Sequence, residues 1–152
     1  MGKEYIGNIL DLFEKLDNVA IIHGCNCQNI MGKGLAKTLK DKYPLIWSKY
    51  RTYHNIGSFE IVGVGLNKYI INAYTQINLG KSKERKDGDS SYMRCVAIGN
   101  IFKELHNYIS PDTTLLIPRI GSGLAGGNWE EIKQVILDNL KHENYIFVTL
   151  KE

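Results

Sequence analysis

The chain has 152 residues, 43% of them apolar and 23% charged, ordinary values for one soluble globular domain. Nineteen basic and 16 acidic residues leave a net charge of +3, too mild to imply nucleic-acid binding by itself. The apolar stretches are strand-sized, which excludes a transmembrane helix, and Met1-Gly2-Lys3-Glu4 carries no apolar signal-peptide core, so a cytoplasmic location is expected.

Short strand-type runs alternate with longer helical stretches. Strands are expected at 4–9, 19–23, 59–64, 68–74, 113–118 and 145–150. Val19-Ala20-Ile21-Ile22 and Thr114-Leu115-Leu116-Ile117 read as central strands covered on both faces. Residues 59–68 read as a hairpin turning near Gly65-Leu66-Asn67. Helices are expected at 34–42, 44–53, 90–109 and 129–141, with Pro44 in a first turn and Asn128 as an N-cap three residues before Glu131. In the last helix Trp129, Ile132, Val135, Ile136 and Leu140 fall on one face. The apolar-free run 81–89 reads as a solvated loop. This alternation predicts a three-layer α/β/α sandwich with a mixed, mostly parallel sheet, spanning residues 1–152 as a single domain.

Cys25, Cys27 and Cys95 give an odd count with no framework of bridges, and their spacing does not match a zinc site. They read as reduced, buried thiols. No metal or cofactor is implied.

Two glycine-rich segments stand out. His23-Gly24-Cys25-Asn26-Cys27-Gln28-Asn29-Ile30-Met31-Gly32-Lys33-Gly34-Leu35-Ala36 and Pro118-Arg119-Ile120-Gly121-Ser122-Gly123-Leu124-Ala125-Gly126-Gly127-Asn128-Trp129 each follow a strand-type run and open into a helical pattern. Such loops aim backbone N–H groups and a helix N-terminus at an anion. Together they suggest a pyrophosphate held between two loops.

His23 reads either as an acid or base working near neutral pH or as a packed strand-end histidine. Asn26 offers a donor and an acceptor to vicinal hydroxyls, or stabilises a turn. Lys33 either attracts phosphate or points into water, and Ser122 either donates to phosphate or caps a turn. Gly32, Gly34, Gly121, Gly123 and Gly126 permit close backbone approach. Trp47 and Trp129 read as core, and His54, His106 and His142 as chemically silent.

At these loops the chain resembles a macrodomain, the ADP-ribose-binding fold. Gly7-Asn8-Ile9-Leu10 lies where macrodomains carry G-D-I or G-N-I beside the adenine, and Ile21 to Asn26 resembles their V-V-N-A-A-N strand and loop. Gly32-Lys33-Gly34 is similar to the first phosphate loop, and Gly121 to Gly126 to the second. Within the family, His23-Gly24-Cys25-Asn26-Cys27 looks closest to the ADP-ribose 1″-phosphate phosphatase branch. The ester-cleaving branch differs: its acid after G-x-G-L is Ala125 here, and its lysine has no clear equivalent near Thr75-Gln76.

The resemblance implies catalytic roles for His23 and Asn26. It implies ligand contacts from Gly7, Asn8, Ile9, Gly24, Cys25, Met31, Gly32, Lys33, Gly34, Leu35, Gly121, Ser122, Gly123, Leu124, Ala125 and Gly126. The expected activity is phosphate hydrolysis of ADP-ribose 1″-phosphate. The alternatives are removal of ADP-ribose from protein, nucleic acid or acyl esters, and a non-catalytic reader or nucleotide sponge. The expected partner is a small ADP-ribose derivative, with nucleic acid involved only if ADP-ribosylated, no membrane, and a monomeric state.

Overall fold

A computed structural model describes residues 3–49, 53–81, 89–121 and 127–150. In chain order come β1 (Lys3–Gly7), α1 (Ile9–Lys15), β2 (Val19–Asn26), α2 (Gly34–Lys42), a 3-10 turn (Pro44–Ile46), β3 (Phe59–Gly65) and β4 (Lys68–Gln76). Then follow α3 (Ser91–Glu104), a second 3-10 turn (Leu105–Asn107), β5 (Thr114–Ile117), α4 (Trp129–Asn139) and β6 (Tyr145–Leu150). The six strands form one sheet in the order β1-β6-β5-β2-β4-β3. Every pairing is parallel except the β3–β4 hairpin, which turns at Leu66-Asn67 with Asn67 at φ 54°. The mixed, mostly parallel sheet expected from the sequence is what forms.

Two hydrophobic cores lie on opposite faces of this sheet. The pleat of β2 sends Ala20 and Ile22 into one core, with Ile98, Ile101 and Phe102 of α3 and Ile132 and Ile136 of α4. Val19 and Ile21 enter the other, with Ile9 and Phe13 of α1 and Leu39 of α2. Ile21 and Ile22 have no exposed surface, so each contributes roughly 1.5–3 kcal/mol of burial. A strand buried on both faces explains the continuous apolar run.

Three sequence expectations change. The first strand stops at Gly7, because Asn8 caps a helix instead: its Oδ1 accepts from the Leu10 and Asp11 amides at 2.9 and 3.4 Å. The helix expected at 44–53 is only one 3-10 turn among the described residues; Trp47 is extended, its Nε1 donating to Asn29 O, while Asn29 Nδ2 donates to Ser48 O. Those long-range bonds hold the segment against the loop after β2 and take the place of further helical bonds. Finally, β2 runs three residues past His23, paired with β4 up to Gln76 across a register shift between Cys25 and Asn26. Trp129, Val135 and Leu140 join Ile132 and Ile136 in packing α4 against the core as expected, and Asn128 caps the helix by accepting from Glu131 N at 3.1 Å.

Candidate functional site

Parallel sheets open their ligand crevices at the carboxyl ends of the strands. Here the ends of β2, β4, β5 and β6, with the entry to α2, border a cleft of about 1200 Å³. Of the residues singled out from the sequence, His23, Gly24, Cys25, Asn26, Gly32, Lys33, Gly34, Leu35 and Gly121 line it. Ser122, Gly123, Leu124, Ala125 and Gly126 lie outside the described residues, as does most of the charge run 81–89. The described lining does not include Gly7, Asn8, Ile9 or Met31. Ile9 and Met31 belong to the core under α1 and α2, and the Asn8 carbonyl oxygen is engaged as a helix cap.

The α2 entry is the site's most informative feature. Asn8, Ser90 and Asn128 cap α1, α3 and α4 with side-chain oxygens, whereas the N-cap of α2, Lys33, makes no side-chain cap bond. First-turn amides without an intrahelical acceptor, at the positive end of a helix dipole, suit an anion. Gly34 opens the helix at φ +64°, a conformation glycine adopts without a Cβ penalty. Among the described lining residues Lys33 and Arg119 are cationic and none is a carboxylate.

Asn26 shapes the loop leading there. Its Oδ1 accepts from the Gln28 and Ile30 amides at 3.1 and 3.2 Å, and its Nδ2 donates to Ile30 O at 2.8 Å. The turn-stabilising reading of Asn26 is therefore realised, and only one amide hydrogen is left over for a ligand. Gln28 Nε2 reaches Asn78 Oδ1 at 2.7 Å, tying this loop to the chain after β4.

His23 is 2% exposed, and its Nε2 lies 2.6 Å from Asn72 Oδ1 on the neighbouring strand. The Asn72 amide nitrogen donates to Ile46 O and Glu60 Oε1, which leaves its oxygen to accept. That pattern assigns the ring proton to Nε2. Burial lowers the His23 pKa to about 4, the Asn72 bond opposing only part of the shift. The ring is neutral at physiological pH, so the expectation of a group titrating near neutrality gives way to a buried, strand-linking histidine. Cys25 Sγ sits 3.5 Å from the same ring, and burial pushes its thiol far up; burial also raises Cys27 to about 11. Neither thiol is poised as a nucleophile.

The wall after β4 was not legible in the sequence. Gln76, Leu79 and Gly80 line the cleft, held by a buried ion pair. Asp89 accepts from the Ile77 and Asn78 amides and from Arg94 Nε and Nη2, and Arg94 Nη1 donates to Gly80 O. Burial alone would raise the Asp89 pKa, but these donors outweigh it and hold the carboxyl at about 2. Arg119, Trp129, Val148, Thr149 and Leu150 complete the far end. Their signal was positional: Arg119 comes shortly after β5, Trp129 opens α4, and Val148, Thr149 and Leu150 are the last three residues of β6. Gln76 stands at the end of β4, and its Nε2 donates to Asn78 O at 2.7 Å.

The described residues thus form an α/β/α sandwich with a cleft at the carboxyl ends of its parallel strands, bordered by the entry to α2 and by Gly121 and Gly127. The chain has the macrodomain fold. The macrodomain of Mycobacterium tuberculosis DarG covers 100% of it at TM-score 0.67 and 22% identity, and a Streptomyces coelicolor macrodomain protein covers 100% at 0.71 and 20%. An uncharacterised 17.5 kDa protein of Enterobacteria phage T4 is 32% identical over 139 residues, 86% of this chain and 84% of that one. An ADP-ribose 1″-phosphate phosphatase of Neosartorya fischeri is 54% identical over 43 residues, 28% of this chain but only 22% of the fungal protein. A DNA ADP-ribosyl glycohydrolase of Mycobacterium tuberculosis is 28% identical over 130 residues, 79% of this chain and 34% of that protein. No family model matches the chain.

Proposed function

We propose that the cleft binds ADP-ribose derivatives and that the protein hydrolyses the phosphate of ADP-ribose 1″-phosphate. The observation that carries the reading is the uncapped entry to α2, the one described α-helix start without a side-chain cap, facing a cleft with Lys33 and Arg119 and no described carboxylate. In this reading the α2 amides and the loop ending at Gly121 take the phosphates, and the remaining Asn26 amide hydrogen contacts the distal ribose. Gly7, Asn8, Ile9, Met31 and residues 122–126 stay in the proposal as family-implied contacts. His23 acts as a positioning residue: its Asn72 bond joins β2 to β4 directly below the register shift that presents Asn26. The local identity to fungal phosphatases supports the phosphate ester as substrate.

A second reading rests on the longer match to the mycobacterial glycohydrolase, release of ADP-ribose from a modified macromolecule. A phosphorus NMR time course with ADP-ribose 1″-phosphate separates the two. Growth of inorganic phosphate with intact pyrophosphate signals is the expected outcome. Broadened pyrophosphate signals without release, together with ADP-ribose liberated from modified DNA, would establish the second reading instead.

A further inference from the structure

Behind the main cleft lies a smaller cavity of about 250 Å³, between the end of β4 and the first turns of α3 and α4. The two spaces share Gln76, Gly121 and Gly127 as walls. Thr75 lines this annexe from β4, Ser91, Arg94 and Cys95 line it from α3, and Asn128 and Glu131 line it from the start of α4. Thr75 is 2% exposed, yet its Oγ1 has no hydrogen-bond partner among the described residues. A buried hydroxyl left unpaired costs on the order of 1–3 kcal/mol, so its persistence calls for a partner supplied from elsewhere. Its surroundings say where. A Cβ built on Gly24 would lie 3.1 Å from Thr75 Oγ1, 3.3 Å from Ile120 Cγ2 and 4.0 Å from Gly121 N. The hydroxyl therefore sits at the seam where β2 and the second glycine loop meet, under the floor of the cleft.

Several other polar groups among the described residues have their partners within the fold. The Asp89–Arg94 pair is satisfied within the fold, Lys68 Nζ is spent on the carbonyls of Phe13 and Leu16, and His142 Nε2 meets Thr113 O at 2.7 Å. The Thr75 hydroxyl is the buried side-chain group whose bonding capacity points at the site.

We propose that Thr75 is a ligand-positioning residue: its hydroxyl pairs with an oxygen that arrives with the nucleotide, either a ligand oxygen reaching the annexe or a water the ligand holds there. A cavity of this size beside an unpaired hydroxyl has room for an ordered water that Thr75 and its polar neighbours could hold. This rests on the ADP-ribose reading of the cleft and adds to it the group that senses an occupied site.

The test compares wild type with Thr75→Val, which keeps the shape and deletes the hydroxyl, and Thr75→Ser, which keeps the hydroxyl. Thermal melting of the free proteins should show Thr75→Val at least as stable as wild type, since it removes an unpaired buried group. Affinity for ADP-ribose is read by calorimetry, and affinity for ADP-ribose 1″-phosphate by calorimetry or, where it is consumed, as KM. Thr75→Val should weaken at least one of them by roughly tenfold, with Thr75→Ser close to wild type. Loss confined to the phosphorylated ligand identifies the terminal phosphate as the partner; equal loss for both identifies a shared oxygen or its bound water. Wild-type affinity for both ligands in Thr75→Val overturns the inference while leaving the site reading intact. No binding of either ligand by wild type overturns the site reading itself.

Discussion

The two glycine-rich loops reach the same cleft by opposite means. The first is shaped by side chains: Asn26 makes three bonds to its own loop, Asn29 adopts φ 61°, and a Cβ on Gly32 would meet nothing within 4 Å. The second is closed by backbone: Gly127 N donates to Gly121 O at 2.8 Å, and Gly121 turns at φ +77°. A Cβ on Gly127 would sit 2.3 Å from Gly121 O and 2.7 Å from Ile132 Cδ1. Glycine is thus sterically required at the ends of one loop and spatially optional at Gly32 in the other. Similar sequence signatures conceal different tolerances.

The largest effect expected from this contrast is that of Gly127→Ala. The added carbon meets backbone that cannot step aside, so the loop ends must part and their hydrogen bond is lost. A stability loss of about 3 kcal/mol in denaturant titration is expected, with ADP-ribose binding abolished. A variant that melts and binds like wild type would break the comparison.

Acidification comes next, because it acts on the strand beneath the first loop. The folded pKa of His23, about 4, lies below the ordinary value near 6.5, so its contribution is present above pH 6.5 and lost as pH falls toward 4. Wild type should lose on the order of 3 kcal/mol across that window, and His23→Gln should show a flatter pH profile. Equal slopes for the two proteins would show that the ring is not what is being charged.

Asn26→Ala should cost about 2 kcal/mol, since the Gln28 and Ile30 amides and the Ile30 carbonyl lose their partner together. The loss should extend to ligand affinity, because the same loop leads into α2. Gly32→Ala is the smallest: a change within ~0.5 kcal/mol in the free protein. Any reduction in its affinity then reports the ligand's approach to that backbone, which a stability loss would otherwise mask.

The layered fold was legible because residues 19–22 of β2 and 115–117 of β5 are unbroken apolar runs and α4 carries a clear buried face. The helix α1 escaped notice because its seven residues are too few to show periodicity, although Asn8 had the chemistry of a cap. Pro44 did start a turn, but Trp47 and Asn29, 18 positions apart, decided what followed, and no local pattern records such a bond. In the site, both loops announced themselves through glycine. Thr75, Gln76, Arg119 and Thr149 did not, because they share a border only once the sheet order places β5, β2 and β4 side by side. The sequence also presented His23 as a reactive group; burial beside Asn72, a tertiary fact, is what silences its titration.

The carboxylate of Asp89 has a consequence for time rather than for energy. Irregular chain after a strand ordinarily trades its amide hydrogens with water quickly. Ile77 and Asn78 give theirs to an acid that is 2% exposed and tethered to α3 through Arg94. Their deuterium uptake should therefore follow the slow opening of the α3 layer, making one rim of the cleft as persistent as the core behind it.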